Sequence, residues 1–193
     1  TMEAMRDAKH IMPFFHLPVQ SGSNQVLKRM NRQYTKESYL KVLDELKKTV
    51  PGIAVTTDII VGFPGETDED FLETLDLVEK AQFEGAFTFV FSKREGTPAY
   101  KFADDTPLET KKERLYMLND RTNDGYLKGN QRFLGETVNV LVDGISKHND
   151  SVVSGYSEHN KLVNFKGDST LIGKIVKVKI TQAKTWFLLG ERI

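Results

Sequence analysis

The spacing of apolar and polar positions changes period twice along this chain. Ile11 to Val19 is short and apolar, punctuated by Pro13 and Pro18, and ends in the polar turn Gln20-Ser21-Gly22-Ser23. Asn24–Met30 reads as a short helix. In Lys36–Val50 the residues Tyr39, Leu40, Leu43, Leu46 and Val50 recur near the helical period, Thr35 and Ser38 stand where an N-cap belongs, and Pro51-Gly52 stops the helix. Ile53–Val61 is β-branched and nearly continuous, the pattern of a strand buried on both faces. It runs into Gly62-Phe63-Pro64-Gly65, a sharp turn. Thr67-Asp68-Glu69-Asp70 then opens a helix with carboxylates in its first turn, where the macrodipole favours them, and Phe71, Leu75 and Val78 form its stripe. Ala86–Ser92, rich in Phe, reads as another buried strand before the loop Glu95-Gly96-Thr97-Pro98. Strands alternating with helices predict a parallel sheet. Its ligand-facing loops belong at the C-terminal strand ends, Gln20–Asn24, Gly62–Glu66 and Ser92–Thr97. Three βα units cannot close a barrel, so the expectation is a partial parallel (βα) barrel.

Thr110–Arg132 is a long charged stretch of helical character, anchored by Leu115 and Leu118 and weakened by Asp124-Gly125 and Gly129. From Gly135 the period shortens. Glu136–Val142, Ser151–Tyr156, Lys161–Phe165, Gly173–Ile180 and Lys184–Leu189 are short runs rich in Val, Ile and Phe, separated by turn residues, which predicts a small all-β barrel or sandwich. The fold class is α/β followed by all-β, with the division placed at residues 1–134 and 135–193.

Composition narrows the function. Of 193 residues, 39% are hydrophobic and 28% charged, enough for a real core. Basic and acidic residues number 27 each, which argues against a dedicated polybasic nucleic-acid binder, although residues 135–193 hold 8 basic against 6 acidic side chains. The absence of cysteine excludes a disulfide framework, a cysteine-ligated zinc or iron–sulfur site and a thiol nucleophile within this chain. No apolar run approaches the roughly 18 residues a membrane helix needs, and the first residues hold no apolar signal segment. The expected location is the cytoplasm, with no membrane partner. A chain opening on Thr1 rather than Met reads as a fragment or a processed product.

Several groups can carry chemistry. Gln20-Ser21-Gly22-Ser23-Asn24 offers an amide, two hydroxyls and a glycine backbone for a ribose or a carboxylate, or else a helix N-cap at Ser23 or Asn24. Asp58 lies inside an apolar strand and needs a partner, structural or functional. Glu66 is either part of that rim or a loop-to-helix cap. His16 reads as a satisfied histidine of a barrel interior. His10, His148 and His159 form no metal spacing, and no phosphate-binding glycine loop is present. Lys161, Lys166, Lys177, Lys179 and Lys184 lie along the short strands near Phe165 and Trp186. Lys177 and Lys179 share one strand face, Val176, Val178 and Ile180 the other. Such a face tracks a nucleic-acid backbone or is simply solvated.

HLPVQSGSNQVLKRMNRQYTKESYL, TTDIIVGFPGETDEDF and AFTFVFSKREGTPAYKF, with the tail NKLVNFKG and LIGKIVKVKITQAKTWFLLGE, resemble the radical S-adenosylmethionine methylthiotransferases over nearly the whole chain. They are most similar to the bacterial branch acting on isopentenylated adenosine in tRNA. The resemblance implies a partial radical barrel followed by an OB-like TRAM barrel that contacts RNA. It implies S-adenosylmethionine as cofactor, and two [4Fe–4S] clusters in the complete enzyme. Their cysteine ligands would lie on a missing N-terminal part of the same enzyme, so this chain alone is expected to be inactive. The implied activity adds a methylthio group to C2 of N6-isopentenyladenosine beside the anticodon, with the tRNA anticodon stem-loop as partner. The cofactor set implied is Gln20, Ser21, Ser23, Asp58, Gly62, Glu66, Phe91 and Ser92. Arg32 and Arg94 sit on rim segments that can meet substrate or a carboxylate. No catalytic residue and no metal ligand is assigned. Alternatives are a free-standing RNA-binding module, or a methylthiotransferase acting on threonylcarbamoyl adenosine or a ribosomal protein.

Overall fold

The computed structural model describes residues 2–146 and 149–193, so His148 lies outside the described residues. Two compact units emerge. The chain up to Phe15, Val50–Ala54 and Tyr126–Ile193 make up one; His16–Thr49 and Val55–Gly125 make up the other. The first part of the chain runs through helix α1 (Met2–Asp7), strand β1 (Phe14–His16), α2 (Asn24–Arg29), α3 (Lys36–Thr49), β2 (Ala54–Val61), α4 (Asp68–Ala81), β3 (Gly85–Val90) and α5 (Leu108–Gln131). Helix α1 is absent from the sequence reading, since six residues with no buried side chain leave no apolar period to detect.

The strands form one sheet in the order β1-β2-β3. β2 and β3 pair in parallel, from Thr56 opposite Gly85 to Val61 opposite Val90. β1 is much shorter than the segment Ile11–Val19 suggests. Pro13 and Pro18 have no N–H to give a ladder, and the chain rejoins β2 only at Gln20, through an isolated parallel bridge to Ile59.

Burial along β2 alternates. Val55, Thr57, Ile59 and Val61 are buried, whereas Thr56, Asp58 and Ile60 are half-buried. This corrects the expectation of a strand covered on both faces, and the same holds for β3. Phe87 and Phe89, opposite Asp58 and Ile60 in the register, are 60% and 51% exposed. A run of apolar residues signals strand but not which face is covered. Here one face joins the core with Leu43 and Leu46 of α3 and Phe71, Leu75 and Val78 of α4. The other stays open.

The helix ends follow local chemistry. Thr35 N–H donates to Ser38 Oγ at 2.9 Å and Ser38 N–H donates to Thr35 Oγ1 at 3.3 Å, closing the start of α3. Thr67 and Asp70 make the reciprocal capping box of α4. Helix α5 passes through Asp124-Gly125 without a break. A Cβ on Gly125 would stand 2.9 Å from Phe83 O, so the glycine is there for close packing rather than for a turn.

Strands β4 (Thr137–Ser146), β5 (Asn149–Ser157), β6 (Leu162–Lys166), β7 (Ile175–Ala183) and β8 (Leu188–Arg192) close into a barrel in the order β4-β5-β6-β8-β7. Within the barrel β6 and β8 pair in parallel, and the other described pairings are antiparallel. Val138, Val140 and Val142 of β4, Val153, Val163, Phe165, Val178, Ile180 and Leu188 fill it, with Phe133 and Leu171 in the same cluster. The last strand starts later than the sequence period predicts, because Lys184–Phe187 is a turn closed by Lys184 N–H donating to Phe187 O at 2.9 Å.

Candidate functional site

The C-terminal ends of the parallel strands open into a cleft of about 670 Å³, within the range of ligand sites. Gln20, Asp58, Phe91 and Ser92 line it, four of the eight cofactor residues expected from sequence. Gln20 holds its place through both backbone groups: its N–H donates to Asp58 O at 2.8 Å and its carbonyl accepts Ile60 N–H at 2.9 Å. Its φ is +70°, a region that non-glycine residues seldom occupy and that clusters at functional sites. Asp58 is half-buried rather than buried, and its partner is neither backbone nor Arg. His16 Nε2 lies 3.4 Å from Asp58 Oδ1, and His16 Nδ1 lies 3.0 Å from Thr56 Oγ1. With Thr56 donating to Nδ1, the Nε2–H is left for Asp58.

The sequence reading missed part of this wall. Phe63 and Phe89 belong to the lining. Phe63 packs edge-to-face on Phe91 with centroids 5.0 Å apart. Its signal was present: it directly follows Gly62 at the end of β2. Arg32 and Arg94 also reach the cleft, together with Arg29. Arg29 is already engaged, donating to Gly65 O and pairing with Asp70 at 3.4 Å.

The other four expected residues stand behind the wall and brace it. Ser23 is the N-cap of α2, accepting from Gln25 N–H and Val26 N–H at 3.2 and 3.4 Å, and it donates to Asp70. Ser21 Oγ accepts Ser23 N–H at 3.2 Å, and Thr74 Oγ1 accepts Gly22 N–H at 3.0 Å. These contacts bind the Gln20–Ser23 turn to α4. Gly62 has φ +68°, and a Cβ there would run into the aliphatic stem of Lys111. Its N–H donates to Glu66 Oε1 at 2.9 Å. Glu66 is not the cap of α4, a role taken by Thr67. Instead Arg114 Nη1 reaches Glu66 Oε1 at 2.7 Å while Nη2 reaches Asp68 at 2.6 Å. Burial pushes the Glu66 carboxyl above its ordinary value, opposed by the Gly62 N–H and the guanidinium. Lys111, also buried, pairs with Asp104 at 2.6 Å. Helix α5 therefore clamps the loop after β2.

The barrel lysines are divided by the register. Lys177 and Lys179 project outward from β7, while Val178 and Ile180 are buried. Lys179 lies directly opposite Glu191 and Lys177 opposite Asn139, whose N–H and side chain bond Glu158. Lys166 and Lys184 are exposed, but Lys161 is buried. The stripe is thus narrower and less positive than the lysine count implies.

Comparison with known proteins places these features. Residues 1–78 match the model of the Radical SAM superfamily and residues 131–193 that of the TRAM domain. A Bacillus cytotoxicus protein, tRNA-2-methylthio-N(6)-dimethylallyladenosine synthase, is 52% identical over 192 residues, covering 100% of this chain and 38% of its own length. Proteins of the same name from Anoxybacillus flavithermus and Acetivibrio thermocellus are 51% and 52% identical, covering 100% and 97% of this chain and 36% and 39% of their own lengths. The chain thus carries a Radical SAM match and a TRAM match and is similar to these synthases along nearly all of its own length, while it spans well under half the length of these curated relatives.

S-adenosylmethionine and iron–sulfur chemistry, the groups the Radical SAM match implies, fit this chain differently. An amide, a carboxylate and a hydroxyl beside aromatic rings suit a nucleoside: hydrogen bonds for ribose hydroxyls and ring faces for a base. An iron–sulfur cluster needs thiolates. This chain has none, so its residues do not fit a cluster. Among the described residues no helix is long and apolar enough to cross a membrane.

Proposed function

We propose that this chain supplies the cofactor rim and the RNA-binding barrel of a tRNA methylthiotransferase that places a methylthio group on C2 of N6-isopentenyladenosine beside the anticodon. The observation that carries the reading is the cleft. Gln20, Asp58, Phe91 and Ser92 converge at the C-terminal ends of parallel strands, in a chain that also holds a closed five-stranded barrel. The names of the relatives supply the substrate class.

In this reading residues 1–134 belong to the radical domain and residues 135–193 to the RNA-binding one. Asp58 and Gln20 hydrogen-bond the nucleoside part of S-adenosylmethionine, Ser92 adds a hydroxyl, and Phe63 and Phe91 exclude water from its base. Ser21, Ser23, Gly62 and Glu66 hold those groups in place. When bound, S-adenosylmethionine supplies the reactive sulfonium centre. Two [4Fe–4S] clusters belong to another part of the same enzyme, and without it this chain is inactive. The anticodon stem-loop is the RNA partner, an unstacked base being the only form in which the target atom is reachable. A cytoplasmic location goes with such a substrate.

Nucleoside mass spectrometry of tRNA from a strain lacking the gene tests this. The expected result is accumulation of N6-isopentenyladenosine without its methylthio form, restored by the gene. Loss of a methylthio group from threonylcarbamoyl adenosine, or from a ribosomal protein, assigns a different branch.

A further inference from the structure

The turn between β7 and β8 presents a side chain that neither the lysine face nor the cleft uses. Lys184, Thr185, Trp186 and Phe187 make the turn. Asn130 of α5, itself buried, grips it from one side, its Nδ2 donating to Lys184 O at 2.7 Å and to Thr185 O at 3.1 Å. Tyr126, one helical turn earlier and also buried, meets the Trp186 ring edge-to-face, with centroids 5.2 Å apart and planes at 70°. The indole nevertheless remains 63% exposed. Lys184, two residues away on the same turn, is exposed as well.

A large aromatic ring left in water forfeits the burial that usually holds it in a core. Here the backbone beneath it is fixed by two hydrogen bonds and the ring touches a buried tyrosine, so docking costs little further conformational entropy. A fixed, exposed ring with a cation two residues away on the same turn matches one ligand chemistry closely. A nucleic-acid base offers a flat π face, and the adjoining phosphate offers the charge. A paired base hides its faces in the stack, so the ligand is an unpaired base.

We propose that Trp186 is a stacking platform for an unpaired RNA base, with Lys184 meeting a neighbouring phosphate. The proposal rests on the reading of this barrel as RNA-binding, and deepens it by naming the residue that meets a base.

Trp186 is the chain's only tryptophan, so its emission reports on this site alone. The full chain is titrated with a short RNA stem-loop carrying unpaired purines in its loop, and with a blunt duplex of the same length. Tryptophan emission and the anisotropy of end-labelled RNA are followed together. The expected result is quenching by the stem-loop with the same midpoint as its anisotropy, and little quenching by the duplex. Trp186→Ala weakens stem-loop binding by roughly 5- to 160-fold, the range of base–aromatic stacking, and Trp186→Phe restores most of it. Stem-loop binding that leaves the emission unchanged overturns the proposal while the RNA reading stands, as does an alanine variant that is folded and binds within about twofold of the unmodified chain. Failure of both RNAs to bind removes the RNA reading and this proposal together. Emission is read on the unmodified chain, so the test survives an alanine variant that does not fold.

Discussion

Arg114 Nη1 stands 2.7 Å from Glu66 Oε1, with both side chains buried, and it ties the second turn of α5 to the loop that follows β2. The same Glu66 oxygen accepts the Gly62 N–H, so one carboxylate fixes the turn and the helix together. Arg114→Ala leaves that carboxylate buried without its cation and is expected to destabilise the fold by about 3–5 kcal/mol. Lys80→Ala removes only an exposed pair with Asp76 and should cost under about 1 kcal/mol. Urea unfolding of the two variants checks the contrast. In a double-mutant cycle, Arg114→Ala combined with Glu66→Gln should cost less than the sum of the two single changes.

Glu66 also gives a pH signature. Its folded-state value is raised above the ordinary 4.5, chiefly by burial. A raised carboxyl contributes stability that is fully present below the unfolded-state value and is lost as pH rises through the folded-state value. The stability of the natural chain relative to Glu66→Gln should therefore fall as pH increases from below 4.5 through the raised value. Unfolding curves of both proteins across that window measure it. A difference that grows with pH contradicts a raised Glu66.

Gly22 is packed against the backbone of α4. An added Cβ would lie 2.5 Å from both Glu73 O and Thr74 Cα, neither of which can rotate away. Gly22→Ala is expected to cost about 1–3 kcal/mol by overpacking and to loosen the Gln20–Ser23 turn. Gly173→Ala, away from the cleft, meets no atom within 4 Å and pays only for its positive φ of +79°, about 1–2 kcal/mol. Thermal unfolding gives the stabilities. Weaker S-adenosylmethionine binding in Gly22→Ala, but not in Gly173→Ala, distinguishes the brace from general strain.

The lysines should separate by position. Lys177 projects from β7, so Lys177→Ala is expected to weaken RNA binding and to lower the slope of log K against log salt by about 1. Lys161 is buried, and Lys161→Ala should leave that slope unchanged in the folded protein. Affinities at several salt concentrations decide it.

Much of this architecture is legible in the sequence where one period dominates. The stripe of α3, the capping residues Thr67 and Asp70, and the five Val-rich runs of the barrel each follow from local spacing. What local spacing hides is which face is covered. Ile53–Val61 and Ala86–Ser92 look like strands buried on both sides, yet Asp58, Phe87 and Phe89 share an open face because only one side of the sheet joins the core. The site shows the same limit. Gln20, Asp58, Phe91 and Ser92 reach the cleft from three separate segments. Ser23 and Glu66, equally polar and as near in sequence, turn inward to Asp70 and Arg114, partners 47 and 48 residues away. Nothing in their own neighbourhood announces those partners.

The most direct test of the cleft as a nucleoside site is amide NMR of the full chain titrated with S-adenosylmethionine, repeated with Asp58→Asn. The account predicts shifts concentrated at Gln20, Asp58, Phe63, Phe91 and Ser92, with weaker affinity in the variant. Shifts confined to other surfaces, or an affinity unchanged by Asp58→Asn, would contradict it.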